Sequence, residues 1–197
     1  MKTFYILTML FVVTSTTSGQ NLLDKCYIDE NTGDTIMTTY WKNLHNEPDL
    51  LINFRLVRIN STINLELKFH IGPYGAFSIS DTNSLWLKIS SDNTIKLKTQ
   101  TNAIAKRGGA MMKDNLYGAT VHGLKAEYFV PRQDCLTLQS EQIQKIRIFC
   151  SEGHFNAKIS STANLISNDF RLISNVPTKI KRITPEPDKP QQVEEPW

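Results

Sequence analysis

Ile63-Asn64-Leu65-Glu66-Leu67-Lys68-Phe69-His70-Ile71 is the stretch on which the fold turns. Apolar and polar residues alternate from end to end, a period of two that a half-buried strand produces and a helix does not. One face of this strand must be covered by the rest of the chain, and the other is expected to meet water. Working outward, Ile52, Phe54 and Leu56 precede it, and Phe77 and Ile79, Leu85, Leu87 and Ile89, then Ile95 and Leu97 follow with the same spacing. The reversals between them are rich in Asn, Asp and Ser: Asn60-Ser61-Thr62, Asp81-Thr82-Asn83 and Ser91-Asp92-Asn93. Leu50 to Thr99 therefore reads as an antiparallel meander.

The flanking segments extend the same class. Cys26 to Thr39 reads as a hairpin turning on Asp29-Glu30-Asn31-Thr32-Gly33-Asp34. Asp29, Asn31 and Gly33 also echo a calcium loop, but such a loop needs its glycine one place later and a Glu at its twelfth position, which here is Tyr40. Gly72-Pro73-Tyr74-Gly75 interrupts the sheet, and periodicity stops from Gln100 to Gly118. Within that excursion Lys106-Arg107-Gly108-Gly109-Ala110 lacks the frame of a phosphate-cradling loop and reads as a mobile surface loop. Extended structure resumes from Ala119 to Val130 and again over Gln144 to Cys150, which Ser151-Glu152-Gly153-His154 turns into Phe155 to Ile159. A short helix is expected near 131–139, opened by Pro131, and a terminal helix near 160–173, where Ala163, Ile166, Phe170 and Ile173 form one apolar stripe. The fold class is thus mainly β, an antiparallel meander or sandwich-like domain with these two helices.

Lys2, the apolar run Tyr5 to Val13 and the small residues Thr14 to Gly19 form the pattern of a signal peptide over residues 1–19, with Gln20 as the first mature residue. The run is too short to span a bilayer. Residues 20–175 form a single β-rich domain, and residues 176–197, rich in Pro and charge, form a tail that buries too little to order itself. The mature protein is expected to be secreted or periplasmic, with no transmembrane segment after processing. Cys26, Cys135 and Cys150 allow at most one disulfide in such a compartment, and Cys135 with Cys150 closes the shortest loop. Three buried thiols without a bridge is the alternative. Asn60-Ser61-Thr62 also matches a glycosylation sequon, which matters in a eukaryotic secretory pathway.

Net charge is +3, with Lys and Arg scattered among Asp and Glu along the chain. That scatter gives no sign of a nucleic-acid partner. No G-x-S-x-G elbow and no H-E-x-x-H run occurs, and His45, His70, His122 and His154 are not paired at ligand spacing. A Cys/His nucleophile pair, Cys150 with His154 across a reversal for instance, is conceivable, though the buried strand face assigned to Cys150 argues against it. No catalytic residue, metal ligand or cofactor is assigned.

Four stretches together resemble a family of small exported bacterial proteins of uncharacterised function: Asp29 to Asp34, Phe54-Arg55-Leu56-Val57-Arg58-Ile59-Asn60, Leu65 to Lys68, and Lys145-Ile146-Arg147-Ile148 running into Ser151-Glu152-Gly153. In that family an aromatic or hydrophobic residue commonly stands where Asn31 is here. The resemblance implies export and a β-rich domain with a terminal helix, and it transfers no catalytic residue. The chain reads as an exported non-catalytic module that binds a protein or envelope partner. A secreted hydrolase assembled from separated loops is the alternative.

Overall fold

The computed structural model describes residues 23–72, 76–100, 102–108, 121–159 and 162–176. The expected signal peptide, the Pro-rich tail beyond Val176, the 73–75 interruption and most of the 100–118 excursion lie outside them.

The first sheet begins with the expected hairpin, β1 (Leu23–Ile28) against β2 (Thr35–Thr39). Asp29 Oδ1 accepts the backbone N–H groups of Asn31 and Thr32, at 2.9 and 3.0 Å, and Gly33 takes a φ of +75°. These bonds hold the Asp29 carboxyl below its usual range, and they use as turn chemistry the oxygen a calcium ion would need. Next, β3 (Lys42–Glu47) and β2 lie end to end along one edge of β4 (Leu50–Ile59). Where they part, the Thr39 hydroxyl accepts the Leu56 N–H at 2.9 Å and fills the missing rung.

On its other edge β4 pairs along its whole length with β5 (Thr62–Ile71), through a tight turn in which Asn60 has a φ of +54°. Both ends of the Asn60 amide are used there: its Nδ2 donates to Asp34, and its Oδ1 accepts the Thr35 N–H.

The chain then leaves this sheet. The short β6 (Ser78–Ile79) precedes the hairpin of β7 (Ser84–Ile89) and β8 (Thr94–Lys98). After β9 (Ala103–Ile104), which pairs with β6, and β10 (Lys106–Gly108), β11 (Val121–Val130) returns to the free edge of β5. Pro131 then opens α1 (Arg132–Ser140), followed by the hairpin of β12 (Ile143–Cys150) and β13 (Gly153–Lys158), and by α2 (Ala163–Asn175). The result is a seven-stranded sheet ordered β1-β2-β4-β5-β11-β10, with β3 also on β4, and a four-stranded sheet ordered β13-β12-β7-β8. Leu50 to Thr99 is therefore shared among these two antiparallel sheets and the small β6–β9 pair. The period of two specifies which face of a strand is buried but not which distant strand lies beside it.

One core joins both sheets. Phe54, Leu65, Leu67 and Phe69 enter it from the first, Leu85, Leu87, Ile146 and Ile148 from the second, and Ile166, Phe170 and Ile173 from α2. Two polar devices fix α2 in place. The Lys42 ammonium pairs with Asp169, whose carboxyl is pushed up by burial and partly restored by that lysine. Arg58 donates to the Ile173 and Val176 carbonyls at 2.7 and 2.9 Å, a cation at the negative end of the helix. Thr162, next to the first turn of α2, donates its hydroxyl to the Leu44 carbonyl.

The second face of β5 is not open water. Glu66 is buried there between Arg55 on β4 and Lys125 on β11, at 2.6 and 2.7 Å. Trp41 roofs part of this patch, with the Arg55 guanidinium 4.8 Å and the Lys68 ammonium 4.1 Å from its ring centre.

Candidate functional site: the basic face of the second sheet

The sequence-derived candidates are not assembled into a reactive site. Cys26, Cys135 and Cys150 are all free, so the expected Cys135–Cys150 bridge is not made. Residues 143–150 are strand, which carries Cys150 roughly 24 Å from Ile143, while α1 retraces only about 8 Å between Cys135 and Ser140. A disulfide needs its Cα atoms within about 7 Å. Burial pushes the Cys135 thiol up to about 11, and its Sγ–H donates to the Val130 carbonyl. Cys150 is likewise buried and raised, whereas His154 stands on the opposite, solvent face of the hairpin with its ring against Phe149. The nucleophile pairing of Cys150 with His154 is thereby corrected: adjacent register positions of a strand point to opposite faces. Among the described residues no three His, Cys, Asp or Glu side chains gather as a metal ion would need.

The outer face of the four-stranded sheet carries a different chemistry. In each of its strands the aliphatic residues turn inward, while Trp86 and Phe149 share the outer face with the polar residues. The outward positions supply six cations: Lys88 from β7, Lys96 and Lys98 from β8, Lys145 and Arg147 from β12, and Lys158 from β13. None of the four strands contains an Asp or Glu.

Register orders these cations into rows. Lys158 lies opposite Lys145, Lys145 opposite Lys88, and Lys88 opposite Thr94. The next row runs Asn156, Arg147, Trp86, Lys96. With strands about 4.8 Å apart, each row crosses the sheet over roughly 14 Å. Like charges directly opposite one another destabilise a sheet, so three lysines side by side oppose folding. Only Lys88 among them has an ion-pair partner in the described residues, the exposed Asp92 in the β7–β8 turn at 2.9 Å.

Trp86 organises the centre. Its indole N–H donates to the Ser84 hydroxyl at 2.9 Å, and its ring packs against Phe149 with centroids 4.8 Å apart. The Lys96 ammonium sits 4.4 Å and the Arg147 guanidinium 5.9 Å from the indole centre. Arg147 is oriented further by donating Nε–H to Asn156 Oδ1 at 2.8 Å. A shallow depression of about 250 Å³ lies here, lined by Trp86, Lys88, Thr94, Lys145 and Arg147. Such an arrangement attracts anions and holds them by charge-assisted hydrogen bonds.

These residues escape a linear reading because Lys88 and Lys96 belong to one hairpin and Lys145, Arg147 and Lys158 to another, separated by a long stretch of mixed charge. The available signal is narrower. Within four strands the polar positions of the alternation are basic or neutral and never acidic, unlike Glu66 and Glu127 in the first sheet.

A second depression, about 420 Å³ between β5, β11 and α1, exposes Phe129 and Leu136 beside Arg132. Its other cation, Arg58, is already committed to the end of α2. No family model, curated protein or solved structure matches the chain.

Proposed function

We propose that this chain is an exported, non-catalytic binding module whose working surface is the basic outer face of the β13-β12-β7-β8 sheet, where it holds an anionic partner in the envelope or outside the cell. One observation carries the reading: six Lys and Arg side chains share that face, and its strands contribute no carboxylate. Three of them stand in direct cross-strand opposition, an arrangement that costs folding stability and that a bound anion would relieve. Cys150 and His154 stand on opposite faces of their hairpin, so that pair does not act as nucleophile and base. No described helix is long and apolar enough to cross a membrane. Export rests on the Lys2 to Gly19 pattern, and N-terminal sequencing of the exported protein should find Gln20 first. A mature chain still beginning at Met1 would contradict it.

The binding role is tested by moving charge. Lys145→Glu with Arg147→Glu should sharply lower the salt concentration at which the protein elutes from a sulfated polymer column. Lys25→Glu with Lys106→Glu changes net charge equally, at exposed positions in the other sheet. Equal shifts for the two pairs would mean that net charge, and not this face, governs retention.

A further inference from the structure

We propose that the ligand of the basic face is a linear acidic polysaccharide lying across the strands, an inference that rests on the anion-binding role argued above. The layout of the cations favours a chain of anions over a single one. Lys158, Lys145 and Lys88 stand abreast on three strands, each step one strand spacing, rather than converging on a point. The depression beside them is shallow and takes its lining from both rows, Lys88, Thr94 and Lys145 from one and Trp86 and Arg147 from the other, so a ligand rests on the sheet.

The aromatic centre argues against bases. Single-stranded nucleic acid is held by open aromatic platforms on which bases stack. Here the Trp86 ring is already engaged by the Lys96 ammonium and by Phe149, so a ligand meets cations before it meets the indole. The aromatic pair serves to position the charges through their attraction for its π-face.

A membrane surface fits less well for a separate reason. Interfacial binding gains much of its strength from apolar side chains entering the bilayer. Among the described residues the large hydrophobic side chains that are exposed are Tyr27, Tyr40, Ile104, Phe129 and Leu136, and none belongs to the four strands of this sheet. What the face does offer among its cations is neutral hydrogen-bonding groups, Thr94 ending one row and Asn156 opening the next. Hydroxyls between acidic groups, as a carboxylated or sulfated glycan presents them, match that mixture.

The experiment titrates the full-length mature protein, at one salt concentration, with polygalacturonate, dextran sulfate, single-stranded oligothymidylate, vesicles of phosphatidylglycerol in phosphatidylcholine, and monomeric galacturonate. The expected result is that one of the two glycans binds about tenfold or more tighter than oligothymidylate or vesicles, with the monomer far weaker than its polymer. Lys145→Glu with Lys158→Glu should weaken that glycan by about tenfold, as loss of two contacts with a polyanion implies. Lys145→Gln with Lys158→Gln, which adds no repulsion and keeps the fold if the first pair does not, should weaken it less but in the same direction. Oligothymidylate or vesicles binding as tightly as the glycans, or galacturonate matching its polymer, would overturn the polysaccharide while leaving an anion-binding face in place. Failure of every polyanion to bind would overturn both readings.

Discussion

His70 shows how a single position on the organising strand carries a pH response. Its ring lies over Gly123 on the neighbouring β11, where an added Cβ would come within 2.7 Å of the imidazole, so the glycine makes room for the ring. Burial, assisted by the nearby Lys68 ammonium, lowers its pKa from the ordinary 6.5. Leu51 and Gly123 are its register partners, so Lys68 on its own strand is the charge that acts on it. Above about pH 6.5 both the folded and the unfolded chain hold a neutral imidazole. Below that value the unfolded chain takes up a proton that the folded chain resists, so stability falls as pH drops toward the lowered folded pKa. Urea midpoints recorded from about pH 7.5 down to pH 5 should therefore decline more steeply for the wild type than for His70→Gln. Parallel curves would show that this imidazole is not held neutral by its surroundings.

At the scale of the element, β5 tests the period of two and the extent to which its polar face is covered. Leu67 is fully buried, and Leu67→Ala should cost about 2–5 kcal/mol in a urea melt, the usual price of a core cavity. Glu66 is also buried, but its partners Arg55 and Lys125 reach solvent, so Glu66→Ala should cost a smaller amount, about 1–3 kcal/mol. Lys68→Ala removes a partly exposed cation over Trp41 and should cost about 1 kcal/mol or less. Losses rising every third or fourth residue would reject the strand. Alternation made the long strands β4, β5, β7, β8, β11 and β12 legible from the sequence, and spacings of three and four did the same for α2, together with the turn chemistry at Asp29 and the opening of α1 by Pro131. By contrast β3, with one apolar residue in Lys42–Glu47, and β9 and β10, inside the stretch where periodicity stops, were not legible. Pairing between distant strands was not legible. The covering of Glu66 depends on Lys125, and the second sheet depends on β7 meeting β12; each needs a contact between segments far apart in the chain.

The same separation concealed the basic face at the scale of the whole molecule. Along the chain, 22 Lys and Arg mix with 19 Asp and Glu to leave a modest +3, yet folding places β7, β8, β12 and β13 side by side and leaves their outward cations without strand carboxylates. Net charge averages over this asymmetry, whereas a ligand meets it one face at a time. Cation contacts with a polyanion release condensed counterions, so affinity should fall linearly with salt on logarithmic axes, at a slope set by the number of contacts. The most direct measurement is that slope, obtained by calorimetric titration with dextran sulfate, for the wild type, for Lys145→Gln with Lys158→Gln, and for Lys25→Gln with Lys106→Gln. The account predicts a slope shallower by roughly two contacts for the Lys145 and Lys158 pair and an unchanged slope for the Lys25 and Lys106 pair. Equal slopes for all three proteins would show that the outer face of the second sheet is not where the anion binds.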